Sequence, residues 1–146
     1  MEAVETKEQA TEQNKGTVKI TVCKSLSGIA EGSELVYQEF EKQIKELEAN
    51  AELSPGGCNM GQVGCRGYCS RDVLVDVHVP GQDLVTYEKV KPDQVVKILK
   101  DHVIGGKIFK KAAAKDDYYE NLKKQTRVAL EFGGRLDPEN IDEYLE

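Results

Sequence analysis

Residues 56–79 read GGCNMGQVGCRGYCSRDVLVDVHV. Three cysteines, Cys58, Cys65 and Cys69, lie among Gly56, Gly57, Gly61, Gly64 and Gly67, and the stretch ends in Val73, Val75, Val77 and Val79 alternating with Leu74, Asp76 and His78. Alternation of period two predicts a strand that buries one face. Glycine lets backbone approach a ligand without a side chain in the way, so the thiol-bearing half reads as a loop wrapped closely around something that thiolates hold.

Working outward, Val18, Ile20 and Val22 alternate with Lys19 and Thr21, which predicts a strand from Thr17 with Cys23 at its end. A loop containing Gly28 and Gly32 follows, and Ser33 is placed to cap a helix whose first turn carries Glu34. Val36, Phe40, Ile44 and Leu47 mark its buried face, with Glu41, Lys42, Lys45 and Glu46 left wet. Pro55, Gly56 and Gly57 break the chain before a short strand from Cys58 to Gly64. Pro80 and Gly81 turn it again, and Leu84 to Val90 gives another strand. Pro92 opens a second helix, with Val95, Val96, Leu99 and Val103 as its stripe, closed by Gly105 and Gly106.

Strand, helix, three strands and helix predict an α/β fold, a two-layer sandwich of thioredoxin type with about four strands and two main packing helices. Residues 1–16 are too polar to offset the entropy of ordering and read as a charged extension; residues 17–106 form the domain. Residues 107–146 are a lysine-rich linker and a helical extension, with one helix from about Asp117 to Lys124 and another starting at Pro138.

The chain has 146 residues, 39% hydrophobic and 32% charged, which suits one modest core with polar segments attached. No apolar run approaches the ~20 residues of a membrane span and no leader pattern opens the sequence, so a cytoplasmic protein is expected. A net charge of −6 would repel phosphate backbones, which argues against a nucleic-acid partner. In a reducing compartment, four cysteines read as metal ligands or redox groups more readily than as disulfides.

Each iron of a [2Fe-2S] cluster takes two protein ligands besides the bridging sulfides, so Cys23, Cys58, Cys65 and Cys69 match one cluster with none over. Cys65 and Cys69, with Gly67 between them, can reach one iron from a single tight loop. Cys23, at the end of a neighbouring strand, would be the third thiolate and Cys58 the candidate fourth. The spacing is neither the plant-type C-x4-C-x2-C nor the paired C-x2-C of a zinc ribbon.

The stretch VGCRGYCSRDVLVDVHVPG followed by VTYEKVKPDQVVKILKDHVIGG resembles the thioredoxin-like [2Fe-2S] ferredoxin domain that opens the flavoprotein, NADH-binding subunit of NAD-linked hydrogenases, formate dehydrogenases and complex I-like NADH dehydrogenases. It is similar, more distantly, to the small iron-sulfur subunit of respiratory complex I. The tail RVALEFGGRLDPENIDEYLE looks like the lead-in to the FMN and NADH domain of that flavoprotein subunit. The resemblance runs from roughly Thr17 to the C-terminus. It implies that Cys23, Cys65 and Cys69 are the first, third and fourth ligands. The sequence departs from the family at the second, which usually follows the first by about five or twelve residues: the position five after Cys23 is Gly28 and no cysteine follows until Cys58, so Cys58 would take that role from another loop or the cluster would be incomplete or lost.

Arg66 and Arg71 read either as solvated charge or as cations that raise a cluster's potential, with Asp72 opposing them. His78 and His102 read as surface or packing residues, and Lys107 to Lys115 as a solvated linker or a docking surface for an acidic partner. No G-x-G-x-x-G opens a helix and no P-loop is present, so FMN and NAD(P)H are expected only in a partner or a missing domain. The chain reads as a fragment, a split subunit or a free-standing module. The function expected is one-electron transfer beside flavin-binding and other iron-sulfur subunits, with a homodimer compatible. A cluster-less thioredoxin-like adaptor is the alternative. A thiol oxidoreductase is the third reading, but it would want a C-x-x-C turn at a helix N-terminus, whereas Cys65 and Cys69 precede a strand.

Overall fold

The computed structural model describes residues 16–145, and the expected extension over residues 1–16 lies outside them apart from Gly16. Four strands form one sheet: β1 (Val18–Cys23), β2 (Cys58–Val63), β3 (Val75–His78) and β4 (Val85–Tyr87), in the order β2-β1-β3-β4. β2 runs parallel to β1, while β3 and β4 are antiparallel to their neighbours. The parallel β1–β2 step needs a crossover, and a long helix, α2 (Ser33–Ala49), supplies it. The antiparallel β3–β4 step needs only the turn at Pro80 and Gly81.

Hydrophobic spacing sets the layers. Val18, Ile20 and Val22 of β1 and Val75 and Val77 of β3 face one side, where they meet Val36, Phe40, Ile44 and Leu47 of α2. Val95, Ile98 and Leu99 of the second helix complete that core. This helix, α3 (Pro92–Lys97), continues through wider π-helical turns over Ile98–Ile104. Its buried set is Val95, Ile98, Leu99 and His102, with Val96 and Val103 only half buried, so the inward face lies one residue away from the expected valine stripe. The fold is the two-layer α/β sandwich expected, with a helical C-terminal extension.

Three local expectations are corrected. The segment around Gly28 is a short helix, α1 (Leu26–Ala30), because Ser25 caps it by accepting a hydrogen bond from the Gly28 N–H at 2.8 Å. Gly32, at φ +92°, precedes α2 and leaves Ser33 as its first, buried residue rather than its cap. At the far end, α4 (Asp116–Lys123) lies one residue from its expected place, but the last helix, α5 (Asp142–Leu145), starts four residues after Pro138. Asp137 and Asn140 instead accept hydrogen bonds from the Glu139 and Asp142 N–H groups, which closes turns there.

The residues beyond Gly106 fold back. Ala113 bridges Tyr87, and the Ala114 N–H donates to Thr86 O, so the segment lies along the edge of β4. Tyr118 of α4 is buried on the sheet face opposite the core helices, beside Asp76 and Thr86. Among the described residues no helix is long and apolar enough to cross a membrane.

Tyr87 and His102 make a polar contact inside the core. The Tyr87 hydroxyl accepts from the Phe109 N–H and meets His102 Nδ1 at 2.9 Å, while His102 Nε2 is buried without a partner among the described residues. Burial pushes the His102 imidazole below its usual pKa. The unfolded chain therefore binds a proton below about pH 6.5 that the folded chain resists, so stability is held above that pH and lost as pH falls beneath it. Urea unfolding at pH 7 and pH 5 will show a loss of up to about 1.4 kcal/mol per pH unit from this group, and His102→Gln will flatten the dependence.

Candidate metal centre at the cysteine end of the sheet

β1 ends at Cys23, and its neighbour β2 ends opposite it at Val63, which places the loop of Gly64 to Cys69 beside the Cys23 thiol. Cys23 is 1% exposed, and its Sγ lies 3.8 Å from the Gly64 carbonyl oxygen. Cys65 and Cys69 are exposed on the rim, their sulfurs 3.7 Å apart. Two thiolates on one tetrahedral ion, with metal–sulfur bonds of about 2.3 Å, stand about 3.8 Å apart, so this pair already has the spacing of a shared iron. The Gly67 N–H points at Cys65 Sγ from 3.3 Å, a donor suited to a thiolate.

Cys58 is not brought to this group. It opposes Val18 at the start of β2, whereas Cys23 opposes Val63 at the end, and five residues of strand separate the two by about 16 Å. The expected set of four thiols is therefore corrected: β2 carries Cys58 and the loop carries Cys65, and the rigid length of the strand holds them apart. Cys58 packs instead against the core, where burial, with a smaller contribution from Glu48, pushes its thiol up to about 11. Nor can position 28 take a side chain freely, since a Cβ there would meet the Cys23 carbonyl oxygen at 2.8 Å and Ser25 Oγ at 3.0 Å.

The loop is held from beneath. Arg66, between the two rim cysteines in sequence, turns inward and gives Asp76 of β3 both contacts of one guanidinium nitrogen, at 2.9 Å each, and donates to Tyr118 at 3.3 Å. Burial alone would lower the Arg66 pKa, but the Asp76 carboxylate overrides it and raises it. Tyr68 packs edge-on against Tyr118 at 4.9 Å between ring centroids, and Arg71 spans Glu88 and Asp117. Neither arginine is plain solvated charge. His78 is exposed at the end of β3 remote from Cys23, His102 is buried against Tyr87, and Lys107, Lys110, Lys111 and Lys115 are exposed.

The C-terminal extension closes over one side. The Gly64 N–H donates to Leu136 O at 2.9 Å, Arg127 donates to Arg66 O at 2.8 Å, and Lys24 pairs with Glu139. Sequence reading missed this contact because its partners lie far apart along the chain.

A second carboxylate, missed as a site residue, links the segment after Cys23 to the turn that carries Cys69. Asp72 is 7% exposed and accepts a hydrogen bond from Ser25 Oγ at 2.8 Å, while its Oδ1 is buried without a partner among the described residues. Its sequence signal was weak: one acid at the third position after Cys69. No three His, Cys, Asp or Glu side chains converge on a single-ion site among the described residues. A two-iron cluster spans a longer gap, and three thiols with an orphaned anionic oxygen at one end of the sheet fit its donor chemistry.

Two outcomes follow. Asp76→Ala will strand a buried guanidinium and destabilise the protein by about 3–5 kcal/mol in urea unfolding. In the metal-free protein, iodoacetamide will label Cys65 and Cys69 first; because thiolate is the reactive form and the Cys58 pKa is raised, labelling of Cys58 will rise about tenfold per pH unit until about pH 11.

Comparison with known proteins agrees with this architecture. The sequence model of the family described as thioredoxin-like [2Fe-2S] ferredoxin matches residues 7–102. Among solved structures, a thioredoxin-like [2Fe-2S] ferredoxin from Aquifex aeolicus is similar with a TM-score of 0.57 and 22% identity, over 68% of this chain and 91% of that one. Its wild type solved at 1.5 Å gives the same score and identity over 98% of that chain, and a variant with one cysteine replaced by serine gives 0.56 and 21% over 99%. Comparison with curated protein sequences gives no match. With the fold shared and the family pattern spanning most of the domain, this chain belongs to the thioredoxin-like [2Fe-2S] ferredoxin family.

Proposed function

We propose that the chain is a one-electron relay, a [2Fe-2S] module of an NAD(P)H-linked flavoprotein oxidoreductase complex of the hydrogenase, formate dehydrogenase or complex I-like type. The observation that carries this reading is the exposed Cys65–Cys69 pair, 3.7 Å apart, with Cys23 fixed behind it through the Gly64 carbonyl. A bound cluster supplies exchange of a single electron between ferric and ferrous iron. Cys23, Cys65 and Cys69 would hold it. The Gly67 N–H would stabilise negative charge on the Cys65 sulfur, and Arg66, bound to Asp76, would keep the loop from opening.

Partner contact is supported by what surrounds the thiols. α1 carries Leu26, 90% exposed, and Ile29, 48% exposed, and its Ser27 donates to Cys69 O at 3.1 Å, so an apolar rim adjoins the exposed sulfurs. A flavin- and NAD(P)H-binding partner or domain docking there would receive electrons at the Cys65–Cys69 edge. The resemblance of the tail to a flavoprotein lead-in supports that assignment.

A second reading, an adaptor without a cluster, is favoured by one observation: no cysteine stands between Cys23 and Cys58, where the resemblance expects the second ligand, and Cys58 is remote. Anaerobic purification of the full chain separates the two. Iron and acid-labile sulfide near two each per chain, with a rhombic paramagnetic signal on reduction, is the expected outcome, on the stoichiometry of a two-iron cluster of about two irons and two sulfides. A colourless protein that still binds a flavoprotein subunit would establish the adaptor.

A further inference from the structure

We propose that Asp72 is the fourth protein ligand of the cluster, completing a set of three cysteines and one aspartate. This assignment rests on the electron-transfer reading above and names the residue that makes it complete. A carboxylate withdrawn from water keeps every oxygen partnered unless something else engages it, because an unpaired buried acceptor forfeits its hydration. Asp72 breaks that rule with one oxygen and keeps it with the other: Oδ2 takes the Ser25 hydroxyl at 2.8 Å, and Oδ1 has no partner among the described residues.

Its place is the one the chemistry requires. Asp72 directly follows the helical turn Cys69–Arg71, and its N–H donates to Cys69 O at 3.3 Å. Ser25, which holds the other oxygen, lies two residues after Cys23. The carboxylate thus joins the two segments that carry Cys23 and Cys69.

Other donors are spent or out of reach. Position 28 has no room for a side chain, and Cys58 lies at the opposite end of β2. Ser25 Oγ both caps α1 and donates to Asp72. Ser27 donates to the Cys69 carbonyl and is neutral, whereas iron prefers an anion. A carboxylate also carries the charge of the thiolate it replaces, so the cluster keeps the net charge of a four-cysteine site. Oxygen is the harder ligand, which makes the two irons chemically unequal.

The test uses the full chain, purified anaerobically with Mössbauer-active iron, alongside Asp72→Ala, Asp72→Cys and Ser27→Ala. Wild type is expected to show two unequal ferric doublets, Asp72→Cys to hold a cluster whose doublets converge, Asp72→Ala to lose iron and sulfide together, and Ser27→Ala to match wild type. Circular dichroism of the metal-free variants checks folding; should Asp72→Ala fail to fold, Asp72→Cys decides. Unchanged iron, sulfide and spectrum in Asp72→Ala, doublets that stay unequal in Asp72→Cys, or cluster loss in Ser27→Ala would each overturn the assignment. A wild type without iron would overturn the electron-transfer reading itself, an outcome distinct from the others.

Discussion

Arg66 is a guanidinium withdrawn from water in the middle of a loop that otherwise lies on the surface, and that single act fixes the cysteine end of the molecule. A buried cation is tolerated only with a partner, and the partner here is Asp76, a carboxylate in the centre of a valine strand. Each charge would be expensive alone. Together they clamp the loop to β3, and because Arg66 lies between Cys65 and Cys69 in sequence, the clamp sets where both thiols emerge. Tyr118 and Thr86 complete the enclosure, which ties α4 and β4 to the same point.

The sheet does the rest of the positioning. Parallel pairing of β1 with β2 ends both strands at one end of the sheet, so the backbone register itself brings Cys23 to the start of the loop. The same register sends Cys58 to the other end. Electron transfer needs a metal site near the surface but shielded from water on its inner side, and the arrangement has that form: two exposed thiols in front, a buried thiol and a buried carboxylate behind. The apolar residues on α1 adjoin the exposed side, where contact with a partner would exclude water.

Much of this was legible in one dimension. The valine alternation at Val73 to Val79, the fourfold spacing of Val36, Phe40 and Ile44, and Pro92 at a helix start each gave an element close to the one observed, because burial of one face imposes a period on the chain. The C-x3-C pair was legible for the same kind of reason, since a tight loop brings residues four apart together. Less visible were Ser25 and Asp72, which look like ordinary polar loop residues until their hydrogen bond across 47 residues is drawn. Cys58 misled because its strand was legible but not the register against β1 that carries it to the far end of the sheet from Cys23.

Sequence alone determined the class of the fold, the thiol chemistry and the family, since these depend on local periodicity and on residue types that few other chemistries use. Tertiary structure alone decided which thiols lie at one end of the sheet. Strand register is set by pairing partners far away along the chain, and a separation of five residues along one strand is enough to exclude a cysteine while the return of a loop sets Asp72 against Ser25. Charge burial works in the same way: whether Arg66 is solvent-exposed or the anchor of the centre depends on Asp76 and Tyr118 arriving beneath it, which no window of sequence around Arg66 contains.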